Sequence, residues 1–285
     1  MAKKKLADLE SFQYAAADRS DGEKAAAGRF ALSKIDPADK PFSSGDKERD
    51  KQTVADLATE LDGLQEMLYA DRRYKLLVVL QGTDASGKDG TIRGVFSQMS
   101  ALGVHTVSWK APSDEERAHD YLWRVHRAVP RYGNIGAFNR SHYEAVVAER
   151  VLKLVTAKTC EQRYEQIVAW ERMLVENRVV LLKFFLHLSR EEQAERLQER
   201  IDIPKKRWKF SPGDLVVRKQ WKTYHQAYED AINATSHSAA PWHIVPADRN
   251  WYRDFVVADT VVKAMEALKL KWPKPKSDLS GIRIK

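Results

Sequence analysis

Hydrophobic positions follow two patterns along the chain. The segment 75–81 is almost continuously apolar and is followed by turn residues, which is typical of a parallel strand buried on both faces. Before it, apolar residues at positions 54, 57, 61, 64, 67 and 68 recur at helical spacing. These patterns predict helices over 54–69, 88–102, 114–129, 142–154, 161–177, 190–200, 215–235 and 251–270, and strands over 75–81, 104–109, 134–138, 179–188 and 242–246. Because strands and helices alternate, the sequence predicts an α/β fold: a central parallel sheet flanked by helices.

Composition changes at both ends of this pattern. The first fifty residues are rich in Ala, Lys, Asp, Ser and Gly and show little periodicity, so residues 1–50 are predicted to form an N-terminal arm that wraps the surface or stays mobile. The predicted domain covers 51–272. Prolines and lysines after Trp272 mark 273–285 as a C-terminal tail.

Several protein classes are excluded by composition. Hydrophobic residues make up 43% and charged residues 31% of the 285 residues, and no run approaches the ~20 apolar residues that span a bilayer. No apolar stretch of a secretory signal follows the basic N-terminus, so we expect a cytoplasmic protein. The single cysteine, Cys160, excludes an intramolecular disulfide and a zinc site made of cysteines.

The charge balance indicates an anionic partner. The chain has 48 Lys and Arg against 40 Asp and Glu, a net charge of +8. Nucleic acid, an acidic membrane surface and a phosphorylated metabolite are all attracted by such a field. The motifs must therefore decide between these partners.

The most informative motif directly follows the strand 75–81. Residues 82–91 read Gly-Thr-Asp-Ala-Ser-Gly-Lys-Asp-Gly-Thr, which fits the phosphate-binding loop G-x-x-x-x-G-K between a strand and a helix. The glycines let backbone N–H groups converge on phosphate oxygens, and Lys88 can neutralise the charge of a transferring group. The alternative is a glycine-rich turn with a purely structural purpose.

Asp84 is the predicted metal ligand. Asp89 occupies the position where this motif usually has the Ser or Thr whose hydroxyl binds magnesium, so another ligand is needed. A carboxylate inside the loop is not needed to bind an anion, but it suits a metal that bridges phosphates. The alternative role of Asp84 is a helix cap.

A second polar cluster, Asn139-Arg-Ser-His-Tyr-Glu144, follows the predicted strand 134–138. Ligands of open parallel sheets bind at the carboxyl ends of strands, where phosphotransferases commonly place an acidic residue and a charge-stabilising arginine. Asn139 is neutral and cannot serve as a base. The spacing of Ser141 and Glu144 indicates a helix capping box, whereas Arg140 has no such structural explanation.

A third feature is a basic segment between two late helices. Residues 201–225 contain seven Lys or Arg against two Asp, which is more than half of the net charge of +8. Such a segment can form a mobile lid over phosphates. The alternative is a solvated basic loop, and Ser211 to Asp214 then only cap the next helix.

Five segments in order together resemble the family-2 polyphosphate kinases. They are Gly-x-Asp-x-x-Gly-Lys-Asp-Gly at 82–90, Asp120–His126, Phe138–Glu144, Arg207–Asp214 and Pro246–Arg253, and the resemblance covers about 64–270. The form Asn-Arg-Ser-His-Tyr resembles the class III branch, which accepts AMP as well as ADP.

The resemblance implies a three-layer, thymidylate-kinase-like P-loop fold with a helical lid. It also implies transfer of the terminal phosphoryl group of inorganic polyphosphate to AMP and ADP, and the reverse, with Mg²⁺ or alternatively Mn²⁺. The implied partners are polyphosphate, adenine nucleotides with guanine nucleotides as an open alternative, and further copies of the chain, for example in a tetramer. Neither nucleic acid nor a membrane is expected.

Site roles follow from the same resemblance. Asp84 is expected to hold the metal and Lys88 the phosphate oxygens, while Arg140 and Arg207 stabilise the transferring charge. The attacking phosphate is already ionised, so no general base is needed, which agrees with the neutral Asn139. The further expected phosphate or nucleotide contacts are Gly82, Gly87, Asp89, Gly90, Thr91, Arg93, Asn139, His142, Tyr143, Glu144 and Lys209.

Two other functions fit some of these features. An ATP-dependent nucleoside or nucleotide kinase would have a similar loop and lid. A basic nucleic-acid-binding P-loop protein would explain the charge and the tryptophans between basic residues. Phosphoryl transfer from polyphosphate without ATP separates the first alternative from a polyphosphate kinase.

Overall fold

A single sheet forms the centre of the protein. The computed structural model describes the backbone of residues 13–14 and the whole of residues 30–284. Within this part of the chain the strand order is β1-β6-β5-β2-β4-β3. Strands β2 to β6 pair in parallel, as predicted, and β1 adds an antiparallel strand beside β6. The strands are β1 Gln13–Tyr14, β2 Lys75–Gln81, β3 Val104–Ser108, β4 Ile135–Asn139, β5 Val179–His187 and β6 Trp242–Pro246.

Helices cover both faces of the sheet. Leu76, Val78 and Leu80 of β2 face a core shared with α1, α2 and α10, whereas Leu77 and Val79 face a core shared with α6 and α9. This alternation explains why β2 is apolar at nearly every position. The helices are α1 Lys47–Asp71, α2 Lys88–Phe96, α3 Asp114–Arg117, α4 Trp123–Arg127, α5 Ala148–Val151, α6 Ala157–Glu176, α7 Arg190–Asp202, α8 Pro212–Lys219, α9 Trp221–Thr235 and α10 Asn250–Ala267.

Several predicted helices are shorter or broken. The helix predicted over 114–129 is wrong: a turn separates α3 from α4, because the Asp120 side chain accepts hydrogen bonds from the backbone of Leu122 and Trp123. The helix predicted over 142–154 is a 3₁₀ helix, His142–Ala145, followed by the single-turn α5. The helix predicted over 215–235 divides into α8 and α9 at Gln220, and α2 ends at Phe96.

Part of the predicted N-terminal arm is packed on the domain. Leu32 lies in the 3₁₀ helix Leu32–Lys34, is 1% exposed, and its N–H donates to Glu229 Oε2 at 2.9 Å. The carbonyl of Ile35 lies 3.1 Å from Nε2 of His187 at the end of β5. Residues 1–12 and 15–29 of the arm lie outside the described residues. In the described part of the chain, no helix has the length and apolar character needed to cross a bilayer.

Candidate active site

The predicted phosphate-binding loop, residues 82–87, joins β2 to α2. Gly82, Ala85 and Gly87 have φ angles of 148°, 65° and 99°, so the backbone curls tightly between the strand and the helix. A Cβ atom at Gly87 would lie 1.7 Å from Nη1 of Arg253, in addition to adopting a left-handed backbone conformation. Position 87 therefore requires glycine.

Lys88 points back into this loop. The side chain is buried, and its Nζ donates to the carbonyl oxygens of Gly82 and Thr83 at 2.7 and 3.0 Å. Burial, and then the charge of Arg140, lower the pKa of Lys88 to about 8. The ammonium group is thus held under the loop, and a nearby anion would favour its charged form.

Asp84 and Arg140 bring the two predicted motifs together. Nη2 of Arg140 donates to Oδ1 of Asp84 at 2.6 Å, and both side chains remain partly exposed. The contact forms because β2 and β4 are parallel neighbours, so their carboxyl ends meet at the same edge of the sheet. Burial would lower the pKa of Arg140, but Glu144 and Asp84 outweigh it and raise the pKa above its usual range. Arg140 is therefore a permanent cation.

Glu144 lies behind this pair. Burial raises the pKa of Glu144, and the charges of Arg140 and Lys88 oppose that effect. The side-chain nitrogen of Gln81 donates to Oε1 of Glu144 at 3.0 Å in the amide orientation that satisfies both of its ends. Glu144 thus acts as a counter-charge for Arg140 and Lys88.

Asp89 connects the first turn of α2 with β4 and with the basic segment. Asn139 Nδ2 donates to Oδ1 of Asp89, and Lys209 Nζ lies 3.7 Å from its Oδ2. Arg93 and Asn139 line an open cavity of about 300 Å³ between α2 and β3, together with Asp89, Ile92, Thr106, Val107 and Ser108. Three predicted site residues therefore border the same space.

Other predicted site residues lie apart from the loop mouth. Arg207 is exposed, and its Nε donates to the carbonyl of Ile201 at 2.8 Å. Thr91 is fully buried. Gly90 faces Arg253, and a Cβ atom at this position would lie 3.0 Å from its Nη2. His142 and Tyr143 are 2% and 1% exposed. The structure does not bring the side chain of Tyr143 to the loop.

Tyr143 belongs to a buried polar cluster behind the sheet. Its hydroxyl donates to Oε1 of Glu171 at 2.7 Å, and Lys183 Nζ lies 2.6 Å from Oε2 of the same carboxylate. His142 and His237 contact Glu171 at 3.5 and 3.1 Å. Burial would raise the pKa of Glu171, but Lys183 and the histidines outweigh it and lower the pKa below its usual range. This cluster anchors the segment that carries Arg140.

Sequence reasoning missed three side chains that hold the loop from behind. Gln193, Arg196 and Arg253 donate to the carbonyl oxygens of residues 84, 85 and 86 at 2.9, 3.1 and 3.4 Å. Arg253 is within the segment Pro246–Arg253 that resembles the family, but that motif gave no role for it. No local signal marks Gln193 and Arg196, because their partners are more than a hundred residues away in the sequence.

The donor set fits a metal shared with substrate. No three His, Cys, Asp or Glu side chains among the described residues are placed to hold a metal together. Mg²⁺ is usually held by one or two carboxylates, with water and substrate phosphates completing its octahedron. Asp84 at the mouth of the loop supplies such a carboxylate, so the site fits an ion that arrives with phosphate.

Comparison with known sequences gives consistent matches. A sequence model of the family Polyphosphate kinase 2 (PPK2) matches residues 44–273. An AMP/ADP-polyphosphate phosphotransferase of Meiothermus ruber is 48% identical over 257 residues, which cover 90% of this chain and 96% of the relative. An ADP-polyphosphate phosphotransferase of Rhodopseudomonas palustris is 38% identical, covering 89% of this chain and 90% of the relative.

A solved structure agrees with these sequences. The crystal structure of polyphosphate kinase 2 from Arthrobacter aurescens TC1 superposes with a TM-score of 0.86 and 38% identity, covering 93% of this chain and 95% of that one. The family model and the fold thus agree with the family that the sequence motifs resemble. The chain belongs to the polyphosphate kinase 2 family.

Proposed function

We propose that this kinase transfers the terminal phosphoryl group of polyphosphate to AMP and ADP, forming ADP and ATP, and catalyses the reverse reaction. Relatives named for AMP and ADP as acceptors support both substrates. The observation that carries the proposal is the Arg140–Asp84 contact of 2.6 Å, whose charges both act on the buried Lys88. A phosphate-binding loop, a carboxylate and two cations are the groups that phosphoryl transfer requires.

The proposed reaction needs little covalent chemistry from the protein. A phosphate oxygen of the nucleotide attacks the terminal phosphorus of polyphosphate, and the bond from that phosphorus to the rest of the chain breaks. Loop N–H groups and Lys88 hold the donor oxygens, while Arg140 balances charge on the group in transfer. The attacking oxygen is already ionised near neutral pH. No general base is therefore needed, which agrees with the neutral Asn139 beside Asp89.

We propose Mg²⁺ as the cofactor, with Mn²⁺ as a substitute, and Asp84 as its protein ligand. When bound, the ion neutralises negative charge on bridging phosphates. Glu144 and Asp214 lie near enough for their charges to interact with Asp84.

The basic segment 201–225 is proposed as the lid. Lys209 already lies 3.7 Å from Asp89 at the start of α2, and Arg207 is exposed on the same 3₁₀ helix, Pro204–Lys209. Closure of this helix over bound phosphates would add both cations to the site. It would also exclude water from the reacting phosphate.

The deciding experiment is nucleotide production with long-chain polyphosphate as the sole donor, with Mg²⁺ and with AMP or ADP supplied separately. ATP from both acceptors supports the proposal, and ATP from ADP alone restricts the acceptor. No product from either acceptor, with activity restored by ATP as donor, would replace the proposal with an ATP-dependent kinase. GMP and GDP in the same assay test base preference, and light scattering tests the expected homo-oligomer.

A further inference from the structure

The phosphate-binding loop is fixed through its carbonyl oxygens. All carbonyls from residue 82 to 86 accept hydrogen bonds, and those of Asp84, Ala85 and Ser86 are bound by side chains of α7 and α10. In one peptide unit the N–H and C=O groups point in opposite directions. Holding the carbonyls of residues 84–86 on one side therefore turns the following N–H groups away from α7 and α10, and the N–H of Ser86 closes a turn on the Thr83 carbonyl at 3.2 Å. The position of the donors sets the shape of the anion-binding surface.

Gln193 on α7 forms hydrogen bonds with both the loop and α8. Its side chain is 0% exposed, and its Nε2 donates to the carbonyl of Asp84 at 2.9 Å. Its Oε1 accepts a hydrogen bond from Nη1 of Arg218, on α8, at 3.0 Å. The amide orientation is fixed by these partners, because a flipped amide would place oxygen against the carbonyl and nitrogen against the guanidinium.

Both ends of α7 are connected to the lid. Arg218 also donates to the carbonyl of Arg190 at the start of α7, at 2.6 Å. Near the other end, Arg200 Nη1 lies 3.0 Å from Oδ2 of Asp214 in the capping box of α8. A displacement of α8 thus acts on Gln193.

We infer that Gln193 is a positioning residue that couples the lid helix α8 to the backbone of Asp84. When α8 is seated on α7, Arg218 holds Gln193 and Gln193 holds the Asp84 carbonyl, so the Asp84 carboxylate faces Arg140. When α8 moves away, the Asp84 peptide loses its oriented donor. The lid then controls the geometry of the site as well as covering it. This inference rests on the proposed role of Asp84 at the reacting phosphates.

The first test separates kcat from KM. Gln193→Leu removes both hydrogen bonds, and we expect kcat to fall about 10²-fold, the usual effect of misplacing a catalytic group by an ångström, with the nucleotide KM changed less than about threefold. The matched control is Gln198→Leu on the same helix, because Gln198 is exposed and its side chain donates to Asp202 on the next turn. Thermal unfolding of each variant shows whether it is folded. A kcat equal to wild type in folded Gln193→Leu overturns the inference.

The second test isolates the two halves of the connection. Gln193→Glu keeps an acceptor for Arg218 but places a carboxylate oxygen against the Asp84 carbonyl, so it should lower kcat like Gln193→Leu. Arg218→Met removes the lid half, together with the bond from Arg218 to the Arg190 carbonyl. If one connection carries both effects, the double variant Gln193→Leu/Arg218→Met has the kcat of Gln193→Leu alone. Fully multiplicative losses would show that the two residues act separately.

A third test does not depend on turnover. The exposed residues Lys205 and Arg207 offer trypsin sites in the lid. Long-chain polyphosphate should protect 205–209 from trypsin in the wild type and in Gln198→Leu, and protect it several-fold less in Gln193→Leu. Equal protection overturns the coupling. If Asp84→Asn instead keeps full turnover while protection differs between these variants, the proposed role of Asp84 fails and the coupling stands.

Discussion

The predicted phosphate-binding loop and the proposed lid are built in opposite ways. The loop is fixed by buried donors, and Lys88 and Arg253 beneath it are 7% and 2% exposed. Within 204–219, every side chain is at least partly exposed, and Trp208 is 77% exposed. The lid is held in part by exposed ion pairs such as Lys206–Glu199 at 2.5 Å.

This difference has a physical consequence. Exposed ion pairs contribute about 0–1 kcal/mol each, so a segment held by them can open at little cost. A loop held by buried hydrogen bonds cannot move without leaving polar groups unsatisfied. The predicted phosphate-binding loop is thus held rigidly, whereas the proposed lid is a segment that can move.

The largest expected effect comes from the loop carboxylate. Asp84→Asn keeps the size of the side chain but removes the charge that faces Arg140 and the proposed metal. We expect turnover to fall about 10³-fold or more with the fold intact, because electrostatic stabilisation of the transferring group is lost. Steady-state rates and circular dichroism check this, with Asp56→Asn on the exposed surface of α1 as control. Unchanged turnover would refute the metal role.

Alanine substitutions at one glycine of the loop and one glycine of the lid test the difference in rigidity. Gly87→Ala should destabilise the protein by about 2–4 kcal/mol and abolish most activity, because its Cβ collides with Arg253 and its φ is 99°. Gly213→Ala in the lid meets only Ser211 Oγ, at 3.3 Å, and should leave unfolding temperature and turnover near wild type. Denaturant unfolding measures both. Equal losses in the two variants would contradict the assigned rigidity.

Deprotonation of Lys88 should have a smaller effect, and it should lower kcat/KM at most tenfold for each pH unit. Because the pKa of Lys88 is lowered to about 8 in the folded protein, the free enzyme loses this charge as pH rises through 8. kcat/KM for polyphosphate should therefore fall above pH 8. A bound phosphate raises the pKa of Lys88, so kcat should fall only at higher pH. The same midpoint in both profiles would exclude Lys88 as the titrating group.

The smallest effect is expected in the lid. Arg207→Met should lower kcat about tenfold and nucleotide affinity less, because the charge is needed only when the lid is closed. Lys206→Met is the control, since Lys206 is paired with Glu199 on α7. Initial rates over a range of nucleotide concentrations separate the parameters. Equal loss of kcat and affinity would indicate a simple binding contact.

The sequence predicted the sheet and the loop because both depend on local patterns. The apolar run of β2 and the glycines after it have few alternative conformations. The Asp84–Arg140 contact was also within reach, since parallel strands place their carboxyl ends together. Helix ends were harder to predict from the sequence. The break in the predicted helix 114–129 depends on one side chain, Asp120, which competes with the helix for backbone donors.

Long-range contacts could not be predicted from one sequence. Gln193 and Arg253 occupy positions on helices that suit solvent as well as a buried partner, and only the packing of α7 and α10 against the loop decides between them. The same holds for Tyr143, whose motif suggested a place beside Arg140. In a 3₁₀ turn successive side chains point in different directions, so Tyr143 enters the interior and contacts Glu171.

The buried ammonium group of Lys88 links the stability of the fold to the binding of phosphate. Lys88 and the N-terminus of α2 bring positive charge to one point, and an anion bound there offsets the cost of burying the Lys88 charge. Any phosphate that binds the folded loop alone shifts the folding equilibrium, by about 2.7 kcal/mol at a hundred times its dissociation constant. The melting temperature of this protein should therefore rise with the concentration of phosphate in solution.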